Sequence, residues 1–200
     1  MTSRLFPRFA IALVALVALA ASAAAQTTHG SAYNESSSAS DLTLSANVQS
    51  VLQLNISSAP GGTTVTGNIT TGAFSVNLGN INGLGVGAPA AGVSVTTQGG
   101  GALYRTPVTL TPVFSGFAEG TKAAIVVEKD AAGSGAGAVR EGNNGITMSS
   151  TVDVGQARSV DSNLSSGAQV ERQVGFYITP ATQPGALTAT LIYTVTVGEI

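Results

Sequence analysis

Residues 42–56 read LTLSANVQSVLQLNI, with apolar side chains on even positions: Leu42, Leu44, Ala46, Val48, Leu52, Leu54 and Ile56. Ser50 alone interrupts the series, and Val51 alone stands out of phase. A period of two belongs to a strand with one buried face. The run is 15 residues long, whereas strands average about 5–6 residues. A strand of that length offers more edge than one small sheet covers. Its partner is therefore either its own domain or a second molecule.

The rest of the chain repeats the motif in shorter pieces. Pro60, Gly61 and Gly62 end the first run. Phe74, Val76 and Leu78 alternate before Gly79, and VSVTTQ follows a Gly/Pro loop. GGGALYRTPVTLTPVF predicts a strand through Val108, Leu110 and Phe114, and Pro107 and Pro112 push it toward a sheet edge or a kink. AAIVVEKD predicts another strand, ended by a flexible AAGSGAGAVREGNNG. Alternation resumes at Ile146, Met148, Val152 and Val154, and again at Val170, Val174, Phe176 and Ile178. The last run, LTATLIYTVTV, carries Leu187, Ala189, Leu191, Tyr193, Val195 and Val197 on odd positions. The first and last runs are the longest and cleanest, and no amphipathic helix stands out.

About eight short strands between turn clusters predict an all-β fold, an antiparallel Greek-key β-sandwich of immunoglobulin-like kind. Terminal strands can lie near one another in such a sandwich. Val, Ile, Thr and Gly dominate, aromatic residues are 5% of the chain, and there is no cysteine or tryptophan. With no disulfide to form, the core and the backbone ladders must hold the fold.

Residues 1–25 are expected to leave the chain. MTSRLFPR is a basic start, FAIALVALVALAA an apolar core, and Ala23-Ala24-Ala25 a small-residue cleavage site, the arrangement of a secretory signal peptide. The apolar run is shorter than the roughly 20 residues of a spanning helix, and no later segment is long and apolar enough to span a bilayer. Residues 26–41 have low apolar content and no period, which predicts a flexible arm ahead of one domain over 42–200. Without Arg4 and Arg8 the chain keeps six basic side chains against ten acidic ones. That balance gives no electrostatic reason to bind nucleic acid or an anionic membrane. Charged residues are 9% of the sequence against about 25% in ordinary domains, a composition common where surfaces pack on neighbours.

Catalytic and cofactor signals are weak. The one histidine, His29, lies in the expected arm, where nothing holds it between triad partners. No HExxH, calcium-loop or cysteine ligand pattern occurs. Glu128, Asp130 and Glu141 border a Gly-rich loop, which reads as a solvated hairpin end more readily than as a surface calcium site. GSGAGAV matches no phosphate-loop pattern. Tyr33, Tyr104 and Phe117 lie off the strong alternations and are candidate glycan-stacking platforms, although a strand-end or core place is the more frequent use of an aromatic. We expect no enzyme, no cofactor and no metal.

LTLSANVQSVLQLNIS resembles the opening strand of the spore coat protein U family, which overlaps with pilins of the archaic chaperone–usher kind. Val48 stands at the family's valine, and Leu52 where its first cysteine would be. FSVNLGNI is similar to the family's Phe-Gly strand, with Leu78-Gly79 at that dipeptide. VSVTTQGG resembles its second cysteine segment, with Thr97 at the cysteine position, and QPGALTATLIYTVTV is similar to its closing strand. The likeness extends over nearly all of residues 42–197. Surface domains of the WxL type also end in a long alternating strand, although their tryptophan signature is missing here.

The pilin resemblance implies a sandwich short of one strand, with an apolar groove that a neighbour's N-terminal extension fills. Leu42, Leu44, Ala46 and Val48 would then be the inserted side chains, and Ser50 the break before the domain's own first strand. Leu187, Leu191, Tyr193 and Val195 would lie on the acceptor edge. The implied partners are a second copy or a homologous subunit and a periplasmic chaperone. The implied role is a secreted structural subunit of a surface fibre or coat. Two other readings stay open. In one, the whole run forms a single strand inside a complete sandwich. Alternatively, the protein is a monomeric extracellular module that recognises glycan or protein through loops 82–92 and 129–145.

Overall fold

The computed structural model describes residues 44–198. The expected signal peptide, the whole expected arm with His29 and Tyr33, and Leu42 lie outside the described residues. The chain divides between Asn47 and Val48, and every described strand belongs to the second unit.

That unit is all-β. Twelve strands take the place of the expected eight or so: β1 Val51–Ser58, β2 Val65–Asn68, β3 Ala73–Val76, β4 Gly79–Asn80, β5 Ala88–Pro89, β6 Ser94–Gln98, β7 Gly101–Ser115, β8 Lys122–Lys129, β9 Val139–Gly142, β10 Arg158–Leu164, β11 Val170–Ile178 and β12 Leu191–Gly198. All strand pairings are antiparallel. The main sheet runs β1-β7-β11-β9, with β6 also on β7; the second runs β10-β8-β12; β2-β3 and β4-β5 are small two-stranded pairs.

The longest strand is β7, with 15 residues, and it lies in the middle of the main sheet. Its prolines do not drive it to the edge. β11 covers one side of residues 102–110. On the other side β6 covers residues 101–105 and β1 covers 108–115, end to end. In an antiparallel strand the N–H and C=O of one residue point to the same side. The Pro112 carbonyl accepts from Gly167 N, beyond the end of β11. The Pro107 carbonyl points at Gly62, in the gap between β6 and β1. Each missing N–H therefore falls where no ladder partner runs.

Register fixes the inner face. Ile56 opposes Leu110, Val170 also opposes Leu110, and Phe176 opposes Tyr104, so even-numbered residues of all three strands share one face. Ala102, Tyr104, Val108 and Leu110 of β7 are buried there. Facing them, β8 buries Ala123, Ile125 and Val127, and β12 turns its odd residues inward. Tyr104 is fully buried, and its hydroxyl donates to the Asn82 carbonyl. It is a core residue, not a stacking platform.

Three further expectations are corrected. Residues 146–154 form no strand: Ile146 and Val152 are buried, but Thr147, Ser149 and Ser150 bond locally and close a turn. The segment expected to be a flexible loop supplies β9, which docks on β11 through residues 139–142. The terminal runs are shorter than their alternation. β1 begins only at Val51 and β12 only at Leu191.

Candidate assembly surface

The two alternating runs that opened and closed the sequence meet at one side of the two sheets. β1 ends the main sheet, β12 ends the second, and the two strands approach one another without a ladder between them. Among the described residues β12 pairs with β8 alone. The Thr190 carbonyl accepts from Asp130 N, which places the backbone groups of even residues toward β8. By alternation, the N–H and C=O of Leu191, Tyr193, Val195 and Val197 point to the free edge. Their side chains are half-buried and turn inward. The edge that can accept a strand and the face that can accept its side chains therefore belong to the same residues.

Behind this edge lies an apolar cavity of about 400 Å³ between the sheets, bounded by Ile56, Val108, Val174, Leu187, Leu191 and Tyr193. A second, of about 760 Å³, continues from it toward Asn82 and Pro180, sharing Val76, Leu78, Phe176 and Leu187. The second is also lined by Asn77, Asn80 and Thr179; the first is the cleft that β12 borders. Residues 186–190 cover part of it as irregular chain, tied to the loop after β8 by Gly135 N to the Thr188 carbonyl at 2.7 Å and Ser134 Oγ to the Ala186 carbonyl at 2.7 Å.

Of the expected acceptor residues, Leu187, Leu191 and Tyr193 come together in the cleft. Val195 lies on the same face of β12, beyond its lining. Of the expected inserted residues, Leu44 is 86% and Val48 80% exposed, Ala46 is exposed too, and residues 44–50 carry no strand. Ser50 sits where β1 starts. Its hydroxyl donates to the Gly116 carbonyl at 2.7 Å, beside a backbone that Gly116 holds at a φ of 77°, a conformation natural to glycine.

Tyr193, which lines the cleft, is bonded to a buried polar group that the alternation gave no direct sign of. Glu141 of β9 is fully buried. Arg172 Nε donates to it at 2.7 Å and Arg172 Nη2 at 3.2 Å, a two-pronged pair within the main sheet. Arg158 of β10 reaches across to the same carboxylate and also donates to the Glu141 carbonyl at 2.9 Å. The Tyr193 hydroxyl donates to Glu141 Oε1 at 3.3 Å. Burial, and then the adjacent carboxylate, hold the Tyr193 phenol well above its usual range. The available signal was parity: Arg172 falls in phase with Val170, Val174 and Phe176, so a charged residue occupies a core position. Glu141 points inward to two arginines and does not join Glu128 and Asp130 as a surface cluster.

Among the described residues, no group of three or more His, Asp or Glu side chains is arranged to hold a metal. Among the described residues, no helix is long and apolar enough to cross a membrane. No family model, curated protein or solved structure matches the chain.

Proposed function

We propose that this chain is a secreted structural subunit of a cell-surface fibre or coat, pilin-like, that assembles by adding a strand from one subunit to the sheet edge of the next. On this reading the two facing sheets are a Greek-key, immunoglobulin-like sandwich short of one strand, and residues 1–25 direct export. A periplasmic chaperone would cover the same edge before assembly. The observation that carries the reading is the edge of β12, unpaired among the described residues and backed by a largely apolar cleft, in a chain whose residues 44–50 continue an apolar alternation with no ladder partner among those residues. Backbone bonding along an edge supplies affinity, and alternate side chains in the cleft supply selectivity. Each large apolar side chain buried there would contribute roughly 1.5–3 kcal/mol.

A second reading, a monomeric binding module, draws support from Leu84 and Val86, which stand exposed on the loop ahead of β5. Leu44→Asp separates the two. On the assembly reading the variant keeps the wild-type circular dichroism spectrum and loses self-association. Unfolding of the variant, or association equal to wild type, would count against strand addition.

A further inference from the structure

The dipeptide Asn-Gly occurs twice in the sequence, at Asn82-Gly83 and at Asn144-Gly145, and the fold treats the two in opposite ways. Asn82 is tied down on all sides. Its N–H donates to the Tyr104 hydroxyl at 3.2 Å, and its carbonyl accepts from that hydroxyl at 3.0 Å and from Gly85 N at 3.3 Å. Its Oδ1 accepts from Leu84 N at 3.0 Å and from Val86 N at 3.3 Å. Gly83 is packed closely as well: a Cβ there would stand 2.3 Å from the backbone carbonyl carbon of Thr179.

Asn144 and Gly145 lie instead in an exposed turn just after β9, a setting that both residue types favour. Gly145 holds a φ of 124°, and a Cβ built on it would meet nothing within 4 Å. The nitrogen that follows Asn144 therefore belongs to a residue with no side chain and with open space beside it. That nitrogen is also the one placed to reach Asn144 Cγ, because the two close a five-membered ring. Closure needs the asparagine to rotate about ψ and χ1. At Asn82 the bonds to the carbonyl and to Oδ1 fix both rotations, whereas the exposed turn at Asn144 leaves room for them.

Independently of the assembly reading, we propose that Asn144-Gly145 is a site of spontaneous deamidation by water, and that the fold holds Asn82-Gly83 back from the same reaction. The Gly145 nitrogen gives its proton to solvent base and bonds to Asn144 Cγ. The bond from Cγ to the side-chain nitrogen breaks, and ammonia leaves with a proton drawn from water. Water then adds to either carbonyl of the cyclic imide and opens the ring, which leaves aspartate or isoaspartate at position 144. Water is the only co-reactant, and nothing is oxidised or reduced. The new carboxylate falls in the turn that joins buried Glu141 to buried Ile146, and the isoaspartyl product lengthens that turn by one backbone carbon.

The exported chain, kept folded in mildly alkaline buffer made with oxygen-18 water, is sampled over time, digested and read by peptide mass spectrometry at both dipeptides. Each conversion replaces the side-chain amide with an acid that carries solvent oxygen, and isoaspartyl methyltransferase labelling marks the rearranged product. Asn144 should convert about tenfold or more faster than Asn82, since Asn82 must first open locally. In concentrated urea the two rates should converge, because both are then plain Asn-Gly. Asn144→Gln should abolish the signal from that peptide while leaving the circular dichroism spectrum unchanged. Equal rates at the two sites in the folded chain, faster conversion at Asn82, or conversion at Asn144 only after unfolding would each overturn the proposal. Both sites are read in the same molecules, so the ratio does not depend on whether the chain is a monomer or a polymer.

Discussion

The two sides of the molecule join the sheets by opposite means. At one side β9 and β10 are bridged by Glu141 and Arg158, with Arg172 completing the pair from β11. At the other side, among the described residues, β1 and β12 approach with no ladder and no ion pair, and a largely apolar cleft lies behind them. The first side is saturated: its carboxylate has an arginine on each oxygen and a tyrosine hydroxyl besides. Among the described residues, the second keeps an unpaired backbone edge and an open cavity lined largely by apolar side chains. In a chain with no cysteine, the ion pair provides a cross-link of the kind a disulfide often gives, and it frees the opposite side to stay open. A buried charge costs solvation and offsets that cost only through well-made bonds. Its value here is positional, because it fixes Tyr193 at the cleft.

The comparison breaks most visibly at Glu141. Glu141→Ala leaves Arg172 buried without its carboxylate and should destabilise the fold by about 3–5 kcal/mol, measured by urea unfolding. Arg158→Ala should cost much less, since that side chain is 41% exposed and exposed ion pairs contribute about 0–1 kcal/mol. At the open side, Leu191→Ala should cost only about 1–2 kcal/mol. The residue is half-buried and already borders empty space, so little new cavity forms. Equal losses at Glu141 and Leu191 would erase the distinction between the sides.

Alkaline titration sharpens the same contrast. The folded chain holds the Tyr193 proton well above the ordinary value of about 10, whereas the unfolded chain gives it up near that value. The stability this group contributes is complete below about pH 10 and is lost as the pH rises toward the folded value, by at most about 1.4 kcal/mol per pH unit. Tyr193→Phe should flatten that limb in urea titrations between about pH 9 and 11. An unchanged slope would mean that the phenol is not held as described. The smallest effect is expected at Ser50→Ala, which removes one exposed hydrogen bond and should cost about 0.5–1 kcal/mol. Faster amide exchange at the start of β1 would report it.

Periodicity made the apolar half of this architecture legible. The inward parity of β7, β11 and β12 follows directly from the alternations at Val108 and Leu110, at Val174 and Phe176, and at Leu191 to Val197. Strand ends were not legible in that way. Leu187 and Ala189 continue the period of β12, yet the chain there bonds to the Ser134 loop instead of to β8. Leu44 and Val48 likewise continue the period of β1 with no strand opposite them in the described chain. Alternation records which side chains are apolar, and a ladder requires a neighbour. Pro107 and Pro112 misled for a related reason, since each faces a gap that only the tertiary pairing creates. Glu141 was hidden because all four residues of β9 sit inside a Gly-rich stretch, and its partners come from β10, β11 and β12.

The most direct measurement is the molar mass of the exported chain by light scattering over a range of concentrations. Strand addition predicts polymers, or a series of oligomers that grows with concentration and disappears in Leu44→Asp. A single folded monomer at every concentration would contradict it, because the edge of β12 and the cleft behind it would then need no neighbour.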